Sequence, residues 1–159
     1  MVNSLPGPVE RVRTAARALG LEIAVRSMPQ STHTAAEAAS AVGCDLGQIV
    51  KSLVFRGRIG GQPHLLLVAG KNRVDQEGAA LFAGEPLDRA DPAFVRETTG
   101  FSIGGIPPVG LRTALPVWFD RDLLAWDIVW AAAGTADTMF AVQPDRLREV
   151  TGATVVSVA

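Results

Sequence analysis

Residues 99–110 constrain this chain more than any other segment, because they can form neither a regular helix nor a regular strand. The twelve residues include four glycines and two prolines. Gly gives the backbone access to dihedrals that other residues avoid, and Pro fixes the path of the chain. The segment also carries apolar side chains that a solvated linker would not need: Phe101, Ile103, Ile106 and Val109. Two interpretations stay open: a rigid turn packed on the core, or a loop that presents backbone N–H groups to a ligand.

Length and composition favour one ordinary domain, which we take as residues 1–159. Because 48% of the residues are apolar, a chain of this size can bury a core without disulfides. The net charge of −1 argues against bulk attraction to nucleic acid but does not exclude a local basic patch. Cys44 is the only cysteine, so we expect no internal disulfide and no cysteine-based metal cluster. Without a membrane-spanning run or a secretion signal, we expect a cytoplasmic protein that does not bind membranes.

The hydrophobic pattern predicts an α+β fold. Helical spacing of apolar residues predicts a helix over 8–19, and a capping box at Thr34 and Glu37 predicts a second helix. The other predicted elements are strands over 21–28, 49–55, 64–69, 115–119, 127–133, 138–142 and 154–158, and helices over 75–82, 91–98 and 144–150, the first two capped by Asp75 and Asp91. The strands over 49–55 and 64–69 form a hairpin with a moderately long turn. Because the strands cluster in hairpins and the helices flank them, a curved mixed sheet fits better than a doubly wound fold.

Lys51 lies in a predicted strand whose two faces are both apolar. In that strand Lys51 shares a face with Leu53 and Phe55. A lysine on an interior strand either extends to an edge or projects into a polar cavity, and an unpaired buried ammonium is costly. Lys51 is one of two lysines among fifteen basic residues, which suggests a need for the compact ammonium. A structural ion pair and a ligand-binding lysine both remain open.

The other chemically active side chains do not form a known motif. His64 opens a strand and is interpreted as a strand-end residue. His33 precedes a helix N-terminus, where it belongs either to a capping loop or to a loop that faces a ligand. Asp120 and Asp122 are interpreted as a cap for the short segment that follows. No P-loop, dinucleotide fingerprint or nucleophile elbow occurs, and two isolated histidines without cysteine partners argue against a structural zinc site, so we expect neither a metal nor another cofactor.

Five segments together carry a resemblance to a known family. They are Thr-Ala-Ala-Glu-Ala-Ala at 34–39, Gly-Gln-Ile-Val-Lys-Ser-Leu-Val-Phe at 47–55, Ala-Gly-Lys-Asn-Arg-Val-Asp at 69–75, residues 99–110, and Ala-Gly at 133–134. In this order they resemble the YbaK/prolyl-tRNA-synthetase-associated domain family, the free-standing and inserted editing domains that hydrolyse misacylated tRNA. The resemblance runs from about residue 10 to the C-terminus, and the pairing of the lysine segment with the Gly/Pro segment is specific.

The resemblance implies a mixed, barrel-like α+β domain that hydrolyses an aminoacyl ester without a metal or a covalent intermediate. The family's invariant lysine falls on Lys51. Its Gly-x-x-x-Pro loop falls on Gly104, Gly105, Ile106, Pro107 and Pro108. Ester hydrolysis builds negative charge on the carbonyl oxygen, which backbone N–H groups of a rigid loop can stabilise. We expect Lys51 to anchor the terminal adenosine or a phosphate rather than orient the carbonyl, and water to be the nucleophile.

Further substrate contacts are expected from Thr34, His33, Ser52, Gly110, Gly134 and Asp137. Family branches that act on cysteinyl-tRNA carry a Ser-Gly-Gly-type segment where this chain has Ala-Ala-Gly at 132–134, so alanine, serine, threonine or another small amino acid is equally compatible. The expected function is trans-editing of a small amino acid mischarged on tRNA, proline tRNA being the expected carrier and prolyl-tRNA synthetase a candidate partner. Two alternatives stay open: a non-catalytic tRNA- or synthetase-binding module, and a hydrolase of a small-molecule ester.

Overall fold

The computed structural model describes residues 7–29 and 34–159 and confirms the α+β class predicted from the sequence. The α-helices within these residues are α1 (Gly7–Ala18), α2 (Ala35–Val42), α3 (Gln76–Ala83), α4 (Pro92–Thr99) and α5 (Pro144–Thr151). The strands are β1 (Val25–Ser27), β2 (Val50–Gly57), β3 (Pro63–Ala69), β4 (Leu87–Arg89), β5 (Val117–Asp120), β6 (Val129–Ala132), β7 (Thr138–Val142) and β8 (Thr154–Val156). Two short 3₁₀ helices are Leu46–Gln48 and Arg121–Ala125. No helix in the described residues is long and apolar enough to cross a membrane.

The described strands form two sheets. The larger sheet has the order β4-β2-β3-β5-β8, in which β3, β5 and β8 run parallel while β2 is antiparallel to both of its neighbours. The smaller sheet, in the order β1-β7-β6, is antiparallel throughout. One parallel bridge from Ile49 to Trp130 links the start of β2 to β6. The mixed character is therefore as predicted, and the strands are arranged as two bridged sheets instead of one closed barrel.

The hairpin of β2 and β3 organises the core. Its register runs from Val50 opposite Ala69 to Arg56 opposite Pro63, which confirms the predicted hairpin. Every residue of β3 after Pro63 is buried, because β2 and β5 flank the strand and both of its faces are covered. Alternate residues of β3 enter two apolar clusters, with Leu65 in one and Leu66 in the other. The hairpin therefore gives the domain a rigid centre.

The remaining differences from the predicted elements have local causes. The strand predicted over 21–28 is reduced to β1, because only three residues pair with β7. Strand β4 was not predicted; its three residues pair with the end of β2. Asp91 caps its helix through the Phe94 N–H at 2.8 Å, as predicted. Asp75 occupies the corresponding position of α3 but makes no side-chain cap bond, and its backbone N–H donates to the Val158 carbonyl.

Candidate active site

An unpaired stretch of the β2 edge forms the floor of a cleft that the tip of the Gly/Pro loop also lines. Strand β4 pairs with β2 only from Phe55 onward, and the bridge at Ile49 closes the other end. The Val54 carbonyl still accepts from the Ala90 N–H beside β4. Because backbone groups alternate along a strand, those of Ser52 point to this same edge, beyond the reach of β4. A segment of an otherwise paired strand is thereby left open to a ligand.

The cleft has a volume of about 220 Å³ and brings together several regions of the chain. The start of α2, the open edge of β2 and the tip of the Gly/Pro loop contribute most of the lining, and β4, β6 and β7 contribute one residue each. Its lining consists of Thr34, Ala35, Ala38, Ile49, Val50, Lys51, Ser52, Leu53, Arg89, Ile103, Gly104, Ile106, Ala132 and Met139. Five of the residues predicted from the sequence therefore meet here: Thr34, Lys51, Ser52, Gly104 and Ile106.

Lys51 is half-buried and held by a backbone contact. Its Nζ donates to the Asn72 carbonyl at 2.5 Å. The Asn72 side chain in turn donates to the carboxylates of Asp120 and Asp122, each at 2.8 Å. Burial is the main cause that lowers the pKa of Lys51, the charges of Arg73 and Arg89 add to it, and Asp120 opposes it. No ion pair among the described residues includes Lys51, so its ammonium is positioned yet keeps protons free for a ligand.

The tip of the Gly/Pro loop is a tight turn that faces the cleft. The Gly105 N–H donates to the Ser102 carbonyl at 3.0 Å, which closes a four-residue turn. Gly104, the third residue of that turn, has φ of +95°, a conformation that favours glycine. The Gly105 amide is thus used inside the turn. Within the described chain, the amides of Gly104 and Ile106 donate to no protein acceptor, and both residues line the cleft.

The rest of the loop fixes this tip in place. The Thr99 carbonyl accepts from the Arg112 N–H at 3.0 Å and closes the base of the loop. Its apolar side chains Phe101, Ile106 and Val109 are buried in the main core cluster. A Cβ on Gly105 would lie 2.8 Å from the Thr135 backbone, so a side chain there would push the loop off its support. The body of this segment is therefore a packed turn, as the first interpretation has it, while its tip lines a cavity; that the tip presents N–H groups to a ligand stays a prediction.

The opposite end of the cleft is small and apolar. Thr34 caps α2 by accepting from the Glu37 N–H at 3.1 Å, and the Thr34 N–H donates back to the Glu37 carboxylate at 3.1 Å, which confirms the predicted capping box. The first turn of α2 then places Ala35 and Ala38 against the cleft, where Met139 is also buried. This end of the cleft suits a short uncharged side chain.

Ser52 contributes a polar group that the protein leaves unsatisfied. Its hydroxyl is fully inaccessible to solvent and has no hydrogen-bond partner among the described residues. Buried hydroxyls are normally paired, because an unpaired one costs free energy. Ser52 lines the cleft with its other atoms, so a ligand would reach its Oγ only after a local rearrangement.

Several predicted contact residues lie outside the cleft lining. Gly110 and Gly134 pack closely against α1. A Cβ at Gly134 would lie 3.0 Å from the Pro8 backbone, and one at Gly110 would lie 3.2 Å from the Ala15 Cβ. The Asp137 carboxylate is exposed and accepts from the Thr135 hydroxyl at 2.8 Å. Other predicted contacts that do not line the cleft are Gly105, Pro107 and Pro108, which are buried behind the tip. The prediction for His33 lies outside the described residues.

Two interpretations of titratable groups agree with the structure. His64 lies near the start of β3, where its buried ring accepts from the Trp118 Nε1 at 3.0 Å. Asp120 caps the second 3₁₀ helix by accepting from the Asp122 N–H at 2.9 Å. Two cleft residues had no sequence signal: Arg89 arrives on the short strand β4, and Met139 arrives on β7. Neither belongs to a motif, so only the tertiary fold places them beside Lys51.

Comparison with known proteins yields a family profile and a similar solved structure. A sequence profile described as "Aminoacyl-tRNA editing domain" matches residues 29–150. A crystal structure described as "a putative trans-editing enzyme for prolyl tRNA synthetase" superposes with a TM-score of 0.91 at 49% identity, covering 98% of each chain. The match spans the loop tip, the open edge of β2 and the start of α2 alike.

Two curated sequences extend the comparison. The uncharacterized protein YwhH of Bacillus subtilis (strain 168) is 32% identical over 141 residues, which is 89% of each protein. The "Putative Cys-tRNA(Pro)/Cys-tRNA(Cys) deacylase EbsC" of Enterococcus faecalis (strain ATCC 700802 / V583) is 24% identical over 121 residues, covering 75% of this chain and 73% of that protein. The similarity thus covers most of the length of these relatives.

Proposed function

Because the chain belongs to the aminoacyl-tRNA editing domain family, we propose that it is a trans-editing deacylase that removes a small amino acid mischarged on tRNA. The expected carrier is proline tRNA and the expected partner protein is prolyl-tRNA synthetase, since a neighbour 49% identical to this chain is described as serving that synthetase. A tRNA substrate is consistent with a cytoplasmic location. The proposed reaction needs only water and residues of this chain.

One observation supports the proposal: two residues whose backbone amides have no acceptor among the described residues line the same cleft as a positioned lysine. The amides belong to Gly104 and Ile106, and the lysine is Lys51. In the proposed reaction, water adds to the ester carbonyl carbon and negative charge develops on the carbonyl oxygen. Preorganised N–H donors stabilise such an oxyanion, each being worth about 3–4 kcal/mol in other hydrolases. Collapse of the intermediate breaks the bond to the ribose oxygen, which leaves with a proton, and releases the free amino acid.

Lys51 is proposed to anchor the terminal nucleotide of the tRNA. Its bond to the Asn72 carbonyl fixes the ammonium at the polar end of the cleft, away from the apolar end beside α2. An ammonium with free protons binds ribose hydroxyls or phosphate oxygens. Holding that nucleotide would place the ester carbonyl against the loop tip, so the lysine would contribute to the rate by positioning.

The apolar end of the cleft is proposed to select the amino acid. Its walls are the short side chains of Ala35, Ala38 and Ala132 together with Ile49 and Met139. A charged side chain would lose its hydration there without gaining a partner among these residues. Alanine, serine, threonine and cysteine all fit this description.

The proposal is tested with a panel of mischarged tRNAs. Proline tRNA charged with alanine, cysteine, serine, threonine or proline is incubated with the protein, and loss of the labelled amino acid is followed against a blank without protein. Release from one or two of the mischarged species, with proline retained, is the expected result. Binding without release would support a non-catalytic module instead. Hydrolysis of simple amino-acid esters but of no charged tRNA would support a small-molecule hydrolase.

A further inference from the structure

A second cleft of about 390 Å³ continues from the polar end of the first. The two clefts share Lys51, Leu53 and Arg89 in their linings. The second cleft adds Arg73, which follows β3, and Gln76, which opens α3. Because three residues line both clefts, the two clefts adjoin, and one extended ligand can reach from the first into the second. We call the second cavity the basic cleft.

Three cations and no carboxylate line the basic cleft. Among the described residues, no ion pair includes Lys51, Arg73 or Arg89. The nearby carboxylate of Asp120 is buried and already accepts from the Ala69 N–H and from Asn72. The cations therefore have no carboxylate in direct contact, although Asp120 acts on Lys51 from nearby and the whole chain carries a net charge of −1.

We propose that Arg73 and Arg89, beside Lys51, form a phosphate-binding subsite that holds the terminal phosphodiester of the substrate RNA. Arginine presents a planar fork of N–H donors that matches phosphate oxygens, and three convergent cations suit a compact anion. The identity of the anion rests on the proposed function: an aminoacyl ester at the RNA 3′ end has its nearest phosphate one nucleoside away. With the amino acid beside α2, that phosphate would fall at the basic end.

The repulsion among the cations agrees with this assignment. Arg73 and Arg89 both act to lower the pKa of Lys51, after the larger effect of burial. A bound phosphate would supply the missing counter-charge. The opposed polarity of the two ends would also fix the direction in which the substrate enters, amino acid first.

Binding of an RNA that carries no amino acid tests the subsite separately from hydrolysis. The probe is a fluorescein-labelled single-stranded RNA ending in CCA, and the dissociation constant is measured by anisotropy at several KCl concentrations. Arg73→Gln and Arg89→Gln should each weaken binding about tenfold, as expected for a charge-assisted contact. Each should also reduce the slope of log K against log salt by about 0.7. Arg121→Gln is the matched control, because Arg121 is exposed and lines neither cleft.

A second probe locates the phosphate. In it the last phosphodiester is replaced by an uncharged methylphosphonate, and in a control probe a linkage several nucleotides upstream is replaced instead. The wild-type protein should bind the first probe about tenfold more weakly than the unmodified RNA, and Arg73→Gln should then add little further loss. Arg73→Lys, which keeps the charge, should recover part of the affinity, and thermal unfolding checks that each variant is folded.

Three results would overturn the subsite. The first is that the affinity losses caused by Arg73→Gln and by the methylphosphonate at the last linkage multiply, as for independent contacts. The second is that only the upstream methylphosphonate weakens binding. The third is that the wild-type protein binds the RNA no more tightly than the glutamine variants do. The proposed function fails differently, since the probe carries no ester. A protein that binds RNA in this way but releases no amino acid from charged tRNA would keep the subsite and lose the deacylase activity.

Discussion

The two walls of the candidate active-site cleft are built from different chemistry. The β2 wall offers side chains, above all the Lys51 ammonium. The loop wall offers backbone, namely the amides of Gly104 and Ile106. The β2 wall is held by a long strand register with β3, and the loop wall by a closed base and buried apolar anchors. Activity that depends on the β2 wall should therefore respond to the identity of a side chain. Activity that depends on the loop wall should respond to the backbone conformation of the loop.

The largest expected effect is on the β2 wall. Lys51→Ala should reduce kcat/KM for mischarged tRNA by 100-fold or more, on the order of 3 kcal/mol of transition-state free energy. The reason is that the Lys51 ammonium is held by the Asn72 carbonyl, whereas Arg89, the other cation of the cleft, has no side-chain hydrogen bond among the described residues to position it. The melting temperature should change little, since the side chain is half-buried and outside the apolar clusters.

Lys71→Ala supplies the control, because Lys71 is exposed and is the chain's other lysine. Its deacylation rate should match that of the wild type. Retention of more than a tenth of the wild-type activity by Lys51→Ala would remove the β2 wall from the mechanism.

The next effect concerns the conformation of the loop wall. Gly104→Ala adds only a methyl group, but its φ of +95° is strained for any L-residue by about 1–2 kcal/mol. We expect the turn to relax, the two amides to shift, and kcat to fall about 10- to 100-fold. Single-turnover deacylation measures this directly.

Ile103→Ala is the companion variant on the same turn. Ile103 is 54% exposed and touches the cleft with its side chain, while its backbone is unaffected by the change. Its loss of kcat should be much smaller than that of Gly104→Ala. Equal losses would mean that the loop wall acts through side chains, against the distinction drawn between the walls.

The third effect is on stability, behind the loop wall. Gly105→Ala would place its Cβ 2.8 Å from the Thr135 backbone, which cannot move aside as a flexible side chain can. We expect a loss of about 2–3 kcal/mol in the free energy of unfolding, measured by urea denaturation.

Gly78→Ala in α3 is the matched control for this substitution. There the new Cβ would meet only the Asp75 carboxylate, at 3.0 Å, and alanine favours a helix interior by about 0.5–1 kcal/mol. This variant should be neutral or more stable than the wild type. If Gly105→Ala were equally tolerated, the loop would not be seated on Thr135 as described.

The smallest effect is a pH dependence far from the loop. Burial lowers the pKa of His64, whose neutral ring accepts from Trp118, and Glu85 opposes the shift weakly. His64 therefore binds a proton more readily in the unfolded chain than in the folded chain, so protonation favours unfolding. This contribution to stability is complete above the ordinary histidine pKa of about 6.5 and declines as the pH falls below it. His64→Gln should remove that part of the pH dependence, measured by urea unfolding between neutral and mildly acidic pH. An unchanged pH profile would contradict the assignment.

Local signals explain which parts of the fold could be predicted. The β2–β3 hairpin and the α2 capping box follow from alternation and from neighbouring residues, so the sequence alone locates them. Strand β4 has no such signal, because its three residues are extended only where β2 offers a partner. Strand β1 is shorter than predicted for the same reason, because only three of its residues have a partner on β7.

The candidate site likewise contains residues with a local sequence signal and residues without one. Lys51 and Gly104 belong to recognisable segments and lie together in the cleft. Arg89 and Met139 come from elements that reach the cleft only through tertiary packing. A glycine in a motif also does not reveal what approaches it: at Gly134 the close neighbour is α1.

The most direct test of the two-wall account is a crystal structure with a non-hydrolysable aminoacyl-adenosine analogue. The account predicts that the carbonyl oxygen lies about 3 Å from the Gly104 or Ile106 amide. It also predicts that the amino-acid side chain lies beside Ala38 and Met139, with the adenosine toward Lys51. A carbonyl oxygen bound by the Lys51 ammonium, with both loop amides facing solvent, would contradict it.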